Sequence, residues 1–151
     1  MPPPPRTLNA LASPQVSWAQ FSSEIIGATD SAAASADSLR GTIHARWREL
    51  GIGAAPSASD NAIHASASPL EALAERCIWL GRRPHQDGYG TYLLRCGLGY
   101  NTIVAWLKNP MVCGEPIFDQ VKGMDALPMA AAAVALEAWE AAVGRHNLNS
   151  P

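Results

Sequence analysis

Apolar residues recur along this chain at helical rather than strand spacing. Trp18, Phe21 and Ile25 predict a helix over 14–27, with Ser13 as its cap and Pro14 in its first turn. Leu39, Ile43, Trp47 and Leu50 predict a second helix over 31–50 that ends at Gly51. Residues 51–68, GIGAAPSASDNAIHASAS, are small and polar and read as a linker or long loop. Ser68-Pro69 repeats the cap-and-proline start, and Leu70, Leu73, Cys77 and Leu80 then mark a helix over 69–82. A turn-rich loop, RPHQDGYG, covers 83–90. Short helices are expected at 91–96 and 100–108, the second stopped by Pro110, and another within Glu115–Lys122. The last helix, 128–143, places Met129, Ala132, Leu136, Trp139 and Val143 on one stripe.

No alternating segment is longer than four residues, so no strand is expected and the fold class is all-α. The expected architecture is a small helical domain of about five to seven helices. A helical hairpin (14–50) and a C-terminal helical unit (69–145) flank the loop, with a Pro-rich, disordered 1–13 and a tail at 146–151. The five tryptophans, at 18, 47, 79, 106 and 139, fall about one per helix and are expected to anchor the core. Trp79 is the exception: it lies off the stripe of its own helix and is expected to face a partner.

Composition narrows the function classes. The 151 residues suit one domain, and 48% apolar content is that of a globular chain. Only 16% are charged, which hints that part of the surface is covered by a partner or a second copy. A net charge of −2 gives no field to attract nucleic acid or anionic lipid, so any DNA contact would need a local patch. The proline run Met1–Arg6 precedes no apolar core, and no run of 18 apolar residues occurs. A cytoplasmic protein without a membrane partner is therefore expected. Cys77, Cys96 and Cys113 form no CxxC pair and are expected as reduced, buried thiols. The histidines are scattered, so no metal site is expected, nor any cofactor.

Catalytic signatures are absent: there is no nucleophile elbow, and the glycines at 88, 90, 97 and 99 follow no strand. Glu71 and Glu75 suit the start of a helix rather than paired acid–base work. The one polar cluster of varied chemistry is the Arg82–Tyr92 loop, with Arg82, Arg83, His85 and Asp87. It supports a minor enzyme alternative and, through Arg82 and Arg83, a partner contact.

Residues 93–107, LLRCGLGYNTIVAWL, carry the clearest functional signal. Leu93 and Leu94 would close one helix, Gly97 permits a turn, and Thr102, Ile103, Trp106 and Leu107 would anchor the next. Tyr100 and Asn101 would lie on the outer side, with Arg95 and Lys108 close by, and these four are the candidate DNA contacts. The pattern is similar to repressor-type helix-turn-helix proteins; the alternative is an ordinary pair of core helices.

The next segment runs Trp106-Leu107-Lys108-Asn109-Pro110, then Gly114-Glu115-Pro116-Ile117, then Val121 and Gly123. It resembles the toxin-binding region of Xre/MbcA/ParS-type antitoxins, in which a Trp-Leu-x-x-Pro segment, a Gly and a Pro precede apolar residues and a helix. Here Pro110 and Gly114 stand closer together than in that family, and one residue rather than two separates Gly114 from Pro116. The resemblance covers about a third of the chain. It implies a helical homodimer that blocks a cognate toxin and binds operator DNA. Its partner-binding residues would be Trp106, Pro110, Gly114, Pro116, Ile117 and Phe118, with Trp106, Ile117, Phe118 and Trp139 as apolar anchors at or beneath the contact; Trp79, Arg82 and Arg83 are further partner-binding candidates from their own segments. A structural subunit of a larger assembly, or a secreted effector, is the alternative.

Overall fold

A computed structural model describes residues 16–148, the side chains as far as Val143. The expected Ser13-Pro14 start, the Pro-rich 1–13 and the last three residues of the tail lie outside it. Seven α-helices and one two-stranded sheet form among the described residues: α1 Trp18–Gln20, α2 Leu39–Arg46, α3 Pro69–Trp79, α4 Gly88–Arg95, α5 Tyr100–Trp106, β1 Met111–Val112, β2 Glu115–Pro116, α6 Ile117–Gln120 and α7 Ala126–Leu148. The domain is mostly helical, as the spacing predicts.

The N-terminal segment departs from expectation in phase and length. α1 starts at Trp18, where Ser17 and Gln20 form a capping box. It passes directly into a π-helical turn, Phe21–Ile26, closed by Gly27 N–H donating to Ser22 O at 3.1 Å. The wider turn moves the buried position from Ile25, which is exposed, to Ile26, five residues after Phe21. α2 is eight residues rather than twenty, and Leu39 and Leu50 of its expected stripe are exposed.

Residues 51–67 form no helix or strand but are fastened at several points. Trp18 Nε1 donates to Ser66 O at 3.2 Å, His44 Nδ1 lies 3.1 Å from Pro56 O, and Gly123 N–H donates to Ala67 O at 2.8 Å. Backbone groups that no helix satisfies find partners here on both sides of the loop.

The core belongs to the C-terminal unit. Leu70 and Leu73 of α3 pack with Leu93, Leu98, Ile103, Trp106, Val112, Ile117, Val121, Met129, Ala130 and Ala133. α3 starts as expected, with Ser68 Oγ accepting from Glu71 N–H and Pro69 in the first turn. Asp87 caps α4 through Tyr89 N–H and Gly90 N–H.

Two expectations about the last third are overturned. A hairpin forms where no strand was expected. Val112 pairs with Glu115 across a two-residue turn in which Cys113 (φ 52°) and Gly114 (φ 91°) are both left-handed. That is the turn that matches strand twist, and strands of two residues are too short to show alternation. Second, α7 is not a single stripe. Met129, Ala130 and Ala133 are buried, but Trp139 is 52% exposed because its end of the helix runs past the core.

Of the five tryptophans only Trp106 is in the core. Trp47 instead lies against the Arg48 guanidinium, 4.4 Å from its ring centre. Cys96 and Cys113 are exposed and Cys77 half-buried, contrary to the expectation of buried thiols; Cys113 is held outward by its turn position. All three thiols are free.

Candidate functional site

Residues 106–121 build a hairpin–helix unit from bonds within the segment. α5 ends at Trp106, and Asn109 then takes a left-handed conformation (φ 53°) that reverses the chain. Its Oδ1 accepts the Phe118 N–H at 2.9 Å, so the residue that makes the turn also caps α6. Pro110 O accepts the Ile117 N–H at 3.0 Å. The Gln120 side-chain amide donates to Val112 O and Glu115 O, the carbonyls on either side of the hairpin turn. Val112 and Ile117 carry the unit into the core. The short spacing from Pro110 to Gly114 is what a two-residue turn requires.

The unit sorts the expected partner-binding residues by depth. Trp106 and Ile117 are buried in the core, so of the two expected positions, at or beneath a contact, they take the one beneath. Pro110, Pro116 and Phe118 are half-buried, and Gly114 is exposed. Sequence reasoning missed Met111, 64% exposed on β1; without the hairpin, nothing marked it. Trp79 is exposed, as expected for a residue off its stripe, and lies edge-on to His64 with ring centres 5.7 Å apart. Ile78 and Leu80 are exposed beside it, so three successive apolar residues end α3 at the surface.

α4 and α5 join through Cys96–Gly99, with Gly97 at φ 100° and Leu98 buried beneath the turn. Arg95, Tyr100, Asn101 and Lys108 are all exposed. One neighbour was not foreseen. α5 lacks a side-chain cap of its own, and Glu137 of α7 supplies one, accepting from Gly99 N–H at 3.1 Å and from the Thr102 hydroxyl. A carboxylate thus occupies the end of α5 that a phosphate would approach.

The Arg82–Tyr92 loop is a folded turn. Asp87 is 3% exposed and accepts from Arg76 Nε at 2.7 Å and Nη2 at 2.9 Å. Burial alone would raise its carboxyl, but Arg76 and the Gly90 and Tyr89 amides outweigh it and hold the group below the usual carboxylate range. Its oxygens are therefore committed to α3 and α4, while Arg82, Arg83 and His85 are exposed. Burial pushes the Tyr89 hydroxyl up, and that hydroxyl donates to Ala126 O at 2.9 Å.

α7 is long and apolar enough, by length and composition, to cross a membrane: Ala126–Val143 has a mean hydropathy of 1.4. In this fold the same stretch is fastened to the domain through Ala126 O, the buried Met129 and Ala133, and Glu137. No protein-family model, curated protein or solved structure matches this chain.

Proposed function

We propose that this chain is a non-enzymatic regulator that works by binding a protein partner, with the 109–121 hairpin unit as its docking element. The resemblance to Xre/MbcA/ParS-type antitoxins names that partner as a cognate toxin. The self-bracing of the unit carries the reading. Asn109, Pro110 and Gln120 fix the hairpin against α6 before any partner arrives, which spares ordering entropy on binding. Met111 then offers an exposed apolar anchor across the hairpin from Pro116, with Trp106 and Ile117 as the support beneath. Operator DNA is the lesser part of the reading, because few basic groups surround α5 and Glu137 sits at its start.

Co-expression with the product of the adjacent gene tests this. The expected result is a co-purifying complex that Met111→Glu disrupts while helix content is unchanged. A chain that leaves its neighbour's product unbound, or a complex indifferent to Met111→Glu, overturns it.

A second reading, a subunit of a larger assembly, is favoured by the contiguous exposed run Ile78-Trp79-Leu80. There Trp79→Ser, rather than Met111→Glu, would release the partner.

A further inference from the structure

α7 carries its polarity the wrong way round for a helix on the surface of a lone domain. Between Ala126 and Val143 its charged residues are Glu137 and Glu140 alone. At 3.6 residues per turn both fall on the side that holds Met129 and Ala133 in the core, and both are half-buried. Glu137 is committed there to the Gly99 amide and the Thr102 hydroxyl. The opposite side is exposed and apolar. Leu127, Ala131, Ala135, Ala138, Trp139 and Ala142 fall within one arc of about 120°. No charged side chain interrupts that arc.

The solvent face of a helix ordinarily carries its charges, and a helix apolar all round is ordinarily covered all round. Here only 17% of Ala126–Val143 is buried within the domain, at a mean hydropathy of 1.4. Leu127 is 67% exposed and Trp139 52%. The outer face therefore lacks a cover that its composition calls for.

We propose that this face pairs antiparallel with α7 of a second copy of the chain. The order of large and small residues is self-complementary. A two-fold axis level with the midpoint between Ala131 and Ala135 sets Leu127 of each copy in the same layer as Trp139 of the other. Ala131 and Ala135 then share the middle layer, where small side chains let the helices approach, while the large ones fill the two ends. Such a contact uses the same patch on both copies and closes on itself. A lipid surface suits the face less well. Helices that lie on membranes carry Lys and Arg beside the apolar face, and Ala126–Val143 has neither. Crossing a bilayer would pull Met129 and Ala133 out of the core. The stretch from Leu127 to Ala142 runs about 22 Å, so one helix pair covers less than the ~800 Å² per partner of a standard interface, and a dissociable dimer with a micromolar constant is expected. The pairing rests on α7 alone and not on the hairpin reading.

Sedimentation equilibrium of the full chain from about 1 to 300 µM tests this. A monomer–dimer equilibrium is expected. Leu127→Glu and Trp139→Lys each leave an unpaired charge in an outer layer and are each expected to weaken the dimer at least about tenfold. Helix content should not change, because both residues lie outside the core. The double variant sets opposite charges side by side across the pairing and should dimerise at least about threefold more tightly than either single variant. A chain that stays monomeric across the range overturns the proposal, as does a dimer that neither substitution weakens. A double variant no tighter than the single ones overturns the antiparallel register. A monomer that pellets with phosphatidylcholine vesicles, and no longer does so as Trp139→Lys, overturns the second copy in favour of a lipid surface.

Discussion

Glu137 of α7 accepts the Gly99 amide at 3.1 Å and so caps α5 from 38 residues beyond that glycine in the chain. The bond joins the last helix to the turn between α4 and α5, and a missing local cap is made good by tertiary structure. Glu137→Ala should cost about 1 kcal/mol, the usual worth of a cap. A Cβ at residue 99 would meet Glu137 Oε1 at 2.8 Å, so Gly99→Ala should displace the same carboxylate at a similar cost. The double variant should then lose clearly less than the sum of the two. Urea unfolding of the four proteins checks this, and additive losses would mean that the two residues do not act through one contact.

The Arg76–Asp87 pair ties the end of α3 to the start of α4. Asp87 is held below the usual carboxylate range when folded. Its contribution is therefore complete above the unfolded carboxyl value of about 3.9 and is lost as pH falls through the folded value. Asp87→Asn should destabilise by about 3 kcal/mol near neutrality, where Arg76 is left half-paired in a mostly buried site. The gap to wild type should narrow with acidification. Thermal melts across pH 2 to 7 measure it, and a gap that stays constant would assign the loss to something other than charge.

The hairpin turn places Cys113 at a left-handed position that Asn occupies with less strain. Cys113→Asn should stabilise by about 0.5 kcal/mol, and Gly114→Ala should destabilise by about 1 kcal/mol. Denaturant midpoints suffice as the measurement. Equal effects at the two positions would contradict the turn type.

These turns also show what was legible in the sequence. The helices of the C-terminal unit were readable because serine caps, prolines and apolar spacing agree there, as at Ser68-Pro69 with Leu70 and Leu73. The hairpin was not, since Cys-Gly lacks the familiar Asn-Gly signature and two-residue strands carry no period. The shift from Ile25 to Ile26 depends on a π-turn that no residue type announces. On α7 the apolar residues point all round, so the expected stripe could not say which face would be buried; packing chose Met129, Ala130 and Ala133 and left Trp139 outside. The candidate site was half legible for the same reason. Trp106, Pro110 and Gly114 mark the segment, but which of its residues reach the surface is decided by a hairpin whose exposed Met111 has no motif.

Two neighbouring glycines test whether the Arg82–Tyr92 loop is as rigid as its packing implies. Both lie in the first turn of α4, two residues apart. A Cβ on Gly88 would meet nothing within 4 Å, whereas one on Gly90 would lie 2.0 Å from Pro84 O. Gly88→Ala should therefore stabilise by about 0.5–1 kcal/mol, through helix propensity and a less disordered unfolded chain. Gly90→Ala must push α4 off the Pro84–Gln86 turn and strain the Asp87 cap that binds the Gly90 amide, with an expected cost of about 3 kcal/mol. Hydrogen exchange should locate that damage at α4 and at the end of α3 that Arg76 ties to it, leaving the 109–121 hairpin protected. If Gly90→Ala is tolerated like Gly88→Ala, the loop yields easily, and a role for Arg82 and Arg83 on a fixed scaffold loses its basis.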